Sequence, residues 1–405
     1  MPESFSLPAG FRAAGVHCGV KPNADLLDLA LFVSDEPCTA AGVFTQNKVV
    51  GAPVKLSRTR VPRNTTRAVI INSGNANACT GEKGDEDACW MTTELAKELG
   101  CNAEDVLVCS TGVIGRFLPL DKLGLGISDA VKKRENTPEA FHNAARAMMT
   151  TDTVPKQAVR QVEIAGASYR ISGAAKGAAM IGPNMATMLS VIMTDAPLSP
   201  ETADGMLRQA VNQSFNCISV EGHTSTSDTV ILLASGPTSG RCPPKPPGLV
   251  DQGHVTLQSA LNDLVAELAQ AIVRDAEGAE HFITIDVTGA RTVGEARRIA
   301  KTVAEGALVK TAIAGGDPNW GRIVSAVGYS GVDIDETEIT LRLNGTLLYE
   351  AGTPVAFDDA AVSQSLKKSR DAHIELILSQ GEAAIRFWTS DLTAEYVRLN
   401  ADYTT

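Results

Sequence analysis

The sequence predicts a mixed α/β protein, because strand-like and helix-like segments alternate along its 405 residues. Runs rich in β-branched residues, such as Arg67 to Ile71, are typical of buried strands. Two helix starts, at Thr137-Pro138-Glu139 and Ser199-Pro200-Glu201, place a hydroxyl at the N-cap and proline in the first turn. From Ile283 onward strands and helices alternate again. The length suits two closely joined domains.

The same patterns predict the individual elements. Buried or alternating apolar runs indicate strands at Leu26 to Val33, Ala41 to Leu56, Arg67 to Ile71, Asp105 to Cys109, Val159 to Ile164, Tyr169 to Ile171, Met188 to Met193, Thr229 to Ala234, Ile283 to Val287 and Leu308 to Ala314. Helical periodicity and caps indicate helices near residues 85–99, 138–149, 200 onward, 255–274, 293–305 and in the tail from Leu392. Two hairpin turns are predicted at Asn344-Gly345 and Gln380-Gly381. The proline-rich stretch from Ser235 to Gly253 is predicted to be a loop.

Composition excludes several functional classes. The net charge of -11 argues against a nucleic-acid or anionic-membrane partner. No apolar run reaches the ~20 residues of a membrane span, and Met1 to Arg12 lacks a signal-peptide pattern, so we expect a cytoplasmic protein. The eight cysteines form no CxxC pair and have no histidine at ligand spacing, which indicates neither a metal site nor a disulfide framework.

One stretch, Lys176 to Met193, joins an irregular turn to an apolar strand. Its Gly182-Pro183-Asn184 run forces a kink, and Thr187 lies where that turn meets the strand. A threonine in such a place is usually a turn residue. It becomes a strong nucleophile if the chain is cut before it, because the freed α-amine can act as its base. The small Ala186 and the strained turn permit such a cut.

Two predicted strands end in small polar loops, Asn72 to Gly81 and Ser110 to Gly115, which predicts a site at one end of a sheet.

Other candidate sites are weaker. Gly315 to Gly321 has the wrong glycine spacing for a dinucleotide loop, and Lys176-Gly177 lacks the flanking residues of a P-loop. No serine lies in a Gly-x-Ser-x-Gly turn, and His223 is expected to face solvent.

The ordered series of motifs resembles the ornithine acetyltransferase family, also called the ArgJ-type glutamate N-acetyltransferases. The match covers nearly the whole chain, and such a series is more specific than any one motif. The segments that carry it are Asn72 to Gly81, Ser110 to Gly115, Thr151 to Lys156, Lys176-Gly177 with Met180 to Leu189, Asp275 to Gly278, Gly315 to Arg322 and Asn400 to Thr405.

The resemblance implies an α/β sandwich of two stacked β-sheets flanked by helices, with a smaller C-terminal α+β domain. It also implies self-cleavage between Ala186 and Thr187. The resulting α chain is 1–186 and the β chain 187–405. Residues 187–282 would complete the catalytic domain, and 283–405 would form the smaller one. The two chains are expected to associate as an α2β2 heterotetramer.

By the same resemblance, Thr187 takes the acetyl group from N2-acetylornithine and passes it to glutamate in a ping-pong cycle of arginine biosynthesis. Thr111 and Gly112 are expected to form the oxyanion hole. The implied substrate-binding residues are Thr153, Lys176, Thr187, Glu277, Asn400 and Thr405. No metal or cofactor is expected, and the use of acetyl-CoA as a second donor stays open.

This chain departs from the family pattern at two places. The family usually has Asp-Gly-Asp-Thr-Ser-Thr-Asn-Asp where this chain has Glu221-Gly222-His223-Thr224-Ser225-Thr226-Ser227-Asp228, and Gly182 stands where alanine usually precedes the proline. The lost acid and the added histidine leave the identity of the acceptor open. Three alternatives stay open: a related self-processing aminopeptidase or amidase, transfer to another amine in a specialised pathway, and an unprocessed amino-acid-binding protein.

Overall fold

The computed structural model describes residues 5–182, 188–236 and 249–402. The strands in this part are β1 (Phe11–Val16), β2 (Leu29–Phe44), β3 (Arg63–Asn75), β4 (Val106–Val113), β5 (Lys156–Ile164), β6 (Ala167–Lys176), β7 (Leu189–Thr194), β8 (Ile218–Ser219), β9 (Thr229–Ala234), β10 (Phe282–Ala290), β11 (Thr340–Leu343), β12 (Thr346–Glu350), β13 (Thr353–Pro354), β14 (Asp371–Ile377) and β15 (Ala383–Ser390). The α-helices are α1 (Ala52–Arg58), α2 (Gly81–Leu99), α3 (Leu120–Lys133), α4 (Pro138–Met148), α5 (Pro200–Asn212), α6 (Leu249–Arg274), α7 (Val293–Glu305), α8 (Ala307–Gly315), α9 (Trp320–Gly328), α10 (Asp359–Lys368) and α11 (Ala394–Asp402).

The larger sheet has eight strands and folds back on itself. Its order is β4-β3-β2-β9-β7-β6-β5, with β1 also paired to β2. In a flat sheet β4 and β6 would lie about 24 Å apart, five strand spacings. Instead, the Lys176 ammonium at the end of β6 donates to the Thr111 hydroxyl on β4 over 3.1 Å. The two halves therefore face each other, which confirms the predicted sandwich.

The inner faces of the two halves share one core. Val69 and Ile71 of β3 contribute to it from one half, Val191 and Met193 of β7 from the other, and Phe141 of α4 fills it. Helices α2 and α3 pack on the outer face of the half that contains β3. Helices α5 and α6 pack on the outer face of the half that contains β7. Because successive strand residues point to opposite faces, both faces of each half are apolar and covered.

A second sheet has the order β13-β12-β11-β14-β10-β15-β8. Strand β8 reaches it from the middle of the chain, and α6 contacts both β5 and β6 of the first sheet and β15 of the second. A single apolar cluster consequently runs from Ile192 through Leu268 to Ile285. The division of the chain at residues 186/187 and 282/283 stays a prediction.

Three predicted elements are wrong. Residues 52–56 of the predicted segment Ala41 to Leu56 belong to helix α1, which has Pro53 in its first turn. The predicted strand Leu308 to Ala314 is helix α8, because a short apolar run does not by itself distinguish a buried helix from a strand. The Gln380-Gly381 turn is not a hairpin, since β14 and β15 pair with opposite edges of β10. The Asn344-Gly345 hairpin is confirmed, with positive φ at both residues.

Other differences concern helices that the sequence did not predict and segments outside the described residues. Helices α3, α9 and α10 are absent from the sequence prediction. Of the predicted loop from Ser235 to Gly253, residues 237–248 lie outside the described part, and α6 begins at Leu249. Within the described ranges, no helix is long and apolar enough to span a membrane. The same ranges contain no cluster of three metal-binding side chains.

Candidate active site

A cavity of about 400 Å³ opens where the ends of β4 and β6 meet in the larger sheet. Five of the residues predicted from the sequence lie on its wall: Thr111, Gly112, Lys176, Glu277 and Asn400. They come from β4, β6, the loop after α6 and the last helix, α11. The fold thus joins segments that lie up to 289 positions apart in the sequence.

The ends of β3 and β4 form one side of the cavity. The two strands are parallel neighbours, so their carboxyl ends meet at one edge. The Ser110 hydroxyl on β4 donates to the Asn72 side chain on β3 over 2.5 Å, which ties the two strands together. Gly112 has φ +126°, and a Cβ there would lie 2.4 Å from the carbonyl carbon of Gly74. Glycine is therefore required at position 112, and the cavity lies at the sheet edge where the two polar loops predicted a site.

Lys176 and Thr111 form a hydrogen-bonded pair on the cavity wall. Both side chains are buried. Burial lowers the pKa of Lys176, although the carboxylate of Asp152 opposes that shift. Because the Thr111 oxygen accepts a hydrogen bond from the ammonium, its own hydroxyl proton stays available as a donor towards the cavity.

Asp152 lies beneath this pair and is missing from the residues predicted from the sequence. Its carboxylate accepts hydrogen bonds of 2.6 Å from both the Lys156 ammonium and the Gly177 amide. Burial by itself would raise the pKa of Asp152, but the ammonium groups of Lys156 and Lys176 hold it at about 2. Lys156 also donates to Asp275 over 2.6 Å. Asp152 and Lys156 lie in the Thr151 to Lys156 motif, which the sequence identified only by its resemblance to the family and not by these contacts.

The remaining predicted residues fall into three groups. Thr153 is not on the described wall of the cavity; its amide donates to Asp275 over 3.0 Å, and its hydroxyl bonds to the same carboxylate. Glu277 accepts a 3.0 Å hydrogen bond from the Asn400 amide, which links the loop after α6 to α11. Ala186, Thr187 and Thr405 lie outside the described residues. The roles of all these residues stay predictions.

Two carboxyl groups of the loop between β8 and β9 hold the described residues on either side of 183–187. The Ile181 amide donates to Glu221 over 2.5 Å, and the Met188 amide donates to Asp228 over 3.0 Å. Burial raises the pKa of Glu221 to about 8 and that of Asp228 well above its usual range. Neither carboxyl was predicted as a site residue.

The two departures from the family pattern lie against each other. A Cβ on Gly182 would be 2.6 Å from the carbonyl carbon of Gly222, so the glycine is required by contact with this loop. His223 is exposed, as expected. Proximity between positions 182 and 222 could not be read from the sequence, because nothing local connects them.

Comparison with known proteins now identifies the family. The model of the ArgJ family matches residues 12–405. The chain belongs to the ArgJ family. It is 44% identical over 403 residues to a protein of Rhodopirellula baltica called arginine biosynthesis bifunctional protein ArgJ, covering 99% of this chain and 97% of that one. A mitochondrial protein of the same name from Schizosaccharomyces pombe is 42% identical over 420 residues, covering 99% and 93%.

A crystal structure of an ornithine acetyltransferase from Mycobacterium tuberculosis, complexed with ornithine, is also similar. It is 40% identical, and the match covers 45% of this chain and 96% of that one with a TM-score of 0.41. Membership of the ArgJ family confirms the resemblance that the motifs carried.

Proposed function

We propose that this chain is a self-cleaving acetyltransferase that moves the acetyl group of N2-acetylornithine to glutamate in arginine biosynthesis. The observation that carries the proposal is the match to ArgJ over 99% of the chain. The cavity supports it, because it combines hydroxyl and amide donors at Thr111 and Gly112 with one carboxylate, Glu277, and several cationic side chains. Such a set suits substrates that carry both an ammonium and a carboxylate.

In the proposed cycle, the Thr187 hydroxyl attacks the acetyl carbonyl while its α-amine takes the proton. Negative charge on the carbonyl oxygen is stabilised by the Thr111 hydroxyl and the Gly112 amide. Ornithine leaves with that proton on its α-nitrogen, and an acetyl ester forms on Thr187. The glutamate α-amine then attacks the ester, which releases N-acetylglutamate and restores the hydroxyl.

The substrate contacts follow from charge. Glu277 suits the side-chain ammonium of ornithine, and Lys176 suits a carboxylate, with Asn400 orienting Glu277. Thr153 and Thr405 are proposed as further substrate contacts.

No metal or cofactor is proposed. We also propose the α2β2 assembly and a cytoplasmic location. Acetyl-CoA is proposed as a second donor, which would give this chain a second activity.

The test combines intact mass with activity. The purified chain should give two species that divide between Ala186 and Thr187, and it should transfer acetyl from N-acetylornithine to glutamate. Thr187→Ala should leave one full-length species and lower activity by at least about 10³-fold. Thr187→Ser, which keeps a hydroxyl, should still be cut. A wild-type chain that stays intact would contradict the proposed mechanism.

Further assays separate the alternatives. Acetyl release from N-acetylornithine that does not depend on glutamate would indicate a hydrolase instead. Replacing N-acetylornithine by acetyl-CoA tests the second donor. Light scattering of the processed protein tests the heterotetramer, whose expected mass is twice that of one α and one β chain together.

A further inference from the structure

Arg116 lies on the wall of the cavity, four residues after Gly112, in the loop that follows β4. The backbone on both sides of it is fixed. The Gly115 amide donates to the Ala78 carbonyl over 2.9 Å, and the Asn75 side chain donates to the Phe117 carbonyl over 3.0 Å. The Arg116 side chain is exposed and makes no hydrogen bond or ion pair with any residue in the described part of the chain. The backbone around Arg116 is thus held by hydrogen bonds, whereas its guanidinium has no protein partner among the described residues.

The other cations on the described wall already donate hydrogen bonds to protein atoms. The Lys21 ammonium donates to the carbonyls of Leu27 and Met149 over 2.8 and 2.7 Å. Lys176 donates to Thr111 and lies close to Asp152. Among the described residues of the wall, Arg116 is therefore the cation whose donors are not engaged by the protein.

The two proposed substrates differ in charge at the end of the side chain. N-acetylornithine ends in an ammonium, whereas glutamate ends in a carboxylate, and in a ping-pong cycle both occupy the same cavity in turn. Glu277, the carboxylate on the described wall, attracts the first and repels the second. Glutamate carries two carboxylates and Lys176 is proposed to pair with one of them, so its side-chain carboxylate needs a second cation that can approach when the acceptor enters.

We propose that Arg116 binds the side-chain carboxylate of glutamate and so determines the specificity for the acetyl acceptor. The inference rests on the proposed function. The planar guanidinium can donate two parallel hydrogen bonds to a carboxylate. In the first half-reaction the exposed side chain turns to solvent, away from the ornithine ammonium. Arg116 contributes nothing to the nucleophile or the oxyanion hole, so its effect belongs to the second half-reaction alone.

The test uses Arg116→Gln in the processed enzyme. In ping-pong kinetics, kcat/KM for N-acetylornithine reports only the first half-reaction, and kcat/KM for glutamate only the second. The variant should lose about 10- to 100-fold in kcat/KM for glutamate and change less than about threefold for N-acetylornithine. Preference for glutamate over glutamine as acceptor should fall by a similar factor. Arg116→Lys, which keeps the charge, should recover part of the loss.

The control is Arg298→Gln, which removes an exposed arginine of α7 from outside the described cavity wall and should leave both constants unchanged. Equal losses for both substrates in Arg116→Gln, or an unchanged constant for glutamate, would overturn the role of Arg116. Absence of acetyl transfer to any amino acid by the wild-type enzyme would instead overturn the proposed function itself.

Discussion

Asp152 explains how two lysine side chains are buried beside the cavity. Its carboxylate contacts Lys156 directly, and it lowers the cost of burying the positive charge on Lys176. Through the Gly177 amide it also fixes the backbone immediately after Lys176. A buried ionic network of Asp152, Lys156 and Asp275 thus holds the backbone beside Lys176, the lysine that donates to Thr111.

Replacing Asp152 by asparagine should remove this compensation. Lys156 would keep Asp275, but two buried ammonium groups would lose their shared counter-charge, so we expect a destabilisation of about 3–5 kcal/mol. Urea unfolding measures it. Asp263→Asn, at an exposed position of α6, removes a carboxylate without a buried partner and should change stability by less than about 0.5 kcal/mol. Equal stability of the two variants would contradict the role of Asp152.

The loop between β8 and β9 is the element that holds the chain on both sides of the predicted cut. It accepts the Ile181 amide at Glu221 and the Met188 amide at Asp228. Backbone contact between Gly182 and Gly222 brings the loop close enough for the first of these bonds. The departures from the family pattern are therefore neighbours in one local arrangement.

Gly182→Ala tests that contact. The added methyl would meet backbone atoms of Gly222 at 2.6 to 2.9 Å, which a side-chain movement cannot relieve, so we expect a loss of about 1–3 kcal/mol and slower cleavage. The same change at Gly205, inside α5 with open space around it, should raise stability by up to about 1 kcal/mol. Unfolding and a mass-spectrometric time course of cleavage give both readouts. If Gly182→Ala is as stable as Gly205→Ala, the contact is not restrictive.

For the whole molecule, α6 joins the two sheets. Leu264 and Leu268 are fully buried and contact Gly173 of β6, and the apolar cluster that contains them extends to β10 and β15. Since one core serves both sheets, the first sheet should not unfold while the second stays folded.

Leu268→Ala should therefore destabilise the molecule as a unit. We expect a cost of about 2–5 kcal/mol from lost apolar contact and the cavity left behind, with a single transition in calorimetry that moves to lower temperature. Leu125→Ala, at a position of α3 that is 78% exposed, should have little effect. Two separate transitions would show that the C-terminal sheet is an independent domain.

The sequence by itself determined much of the local structure and the family. The capping residues Thr137 and Ser199 predicted α4 and α5. Their hydroxyl oxygens accept hydrogen bonds from the backbone amides of Ala140 and Thr202. The Asn344-Gly345 turn predicted its hairpin, and the ordered motifs identified ArgJ. These signals depend on backbone preferences and contacts within a few residues, so they can be read along the chain.

Only the tertiary structure decided which side chains meet. The folding of the larger sheet joins Lys176 to Thr111, and packing buries Asp152 under both. It also leaves Arg116 without a partner among the described residues and makes a helix of the apolar run in α8. Such outcomes depend on contacts between residues far apart in the sequence. Local conformational preferences do not reveal these contacts, because burial and charge compensation act across the whole fold.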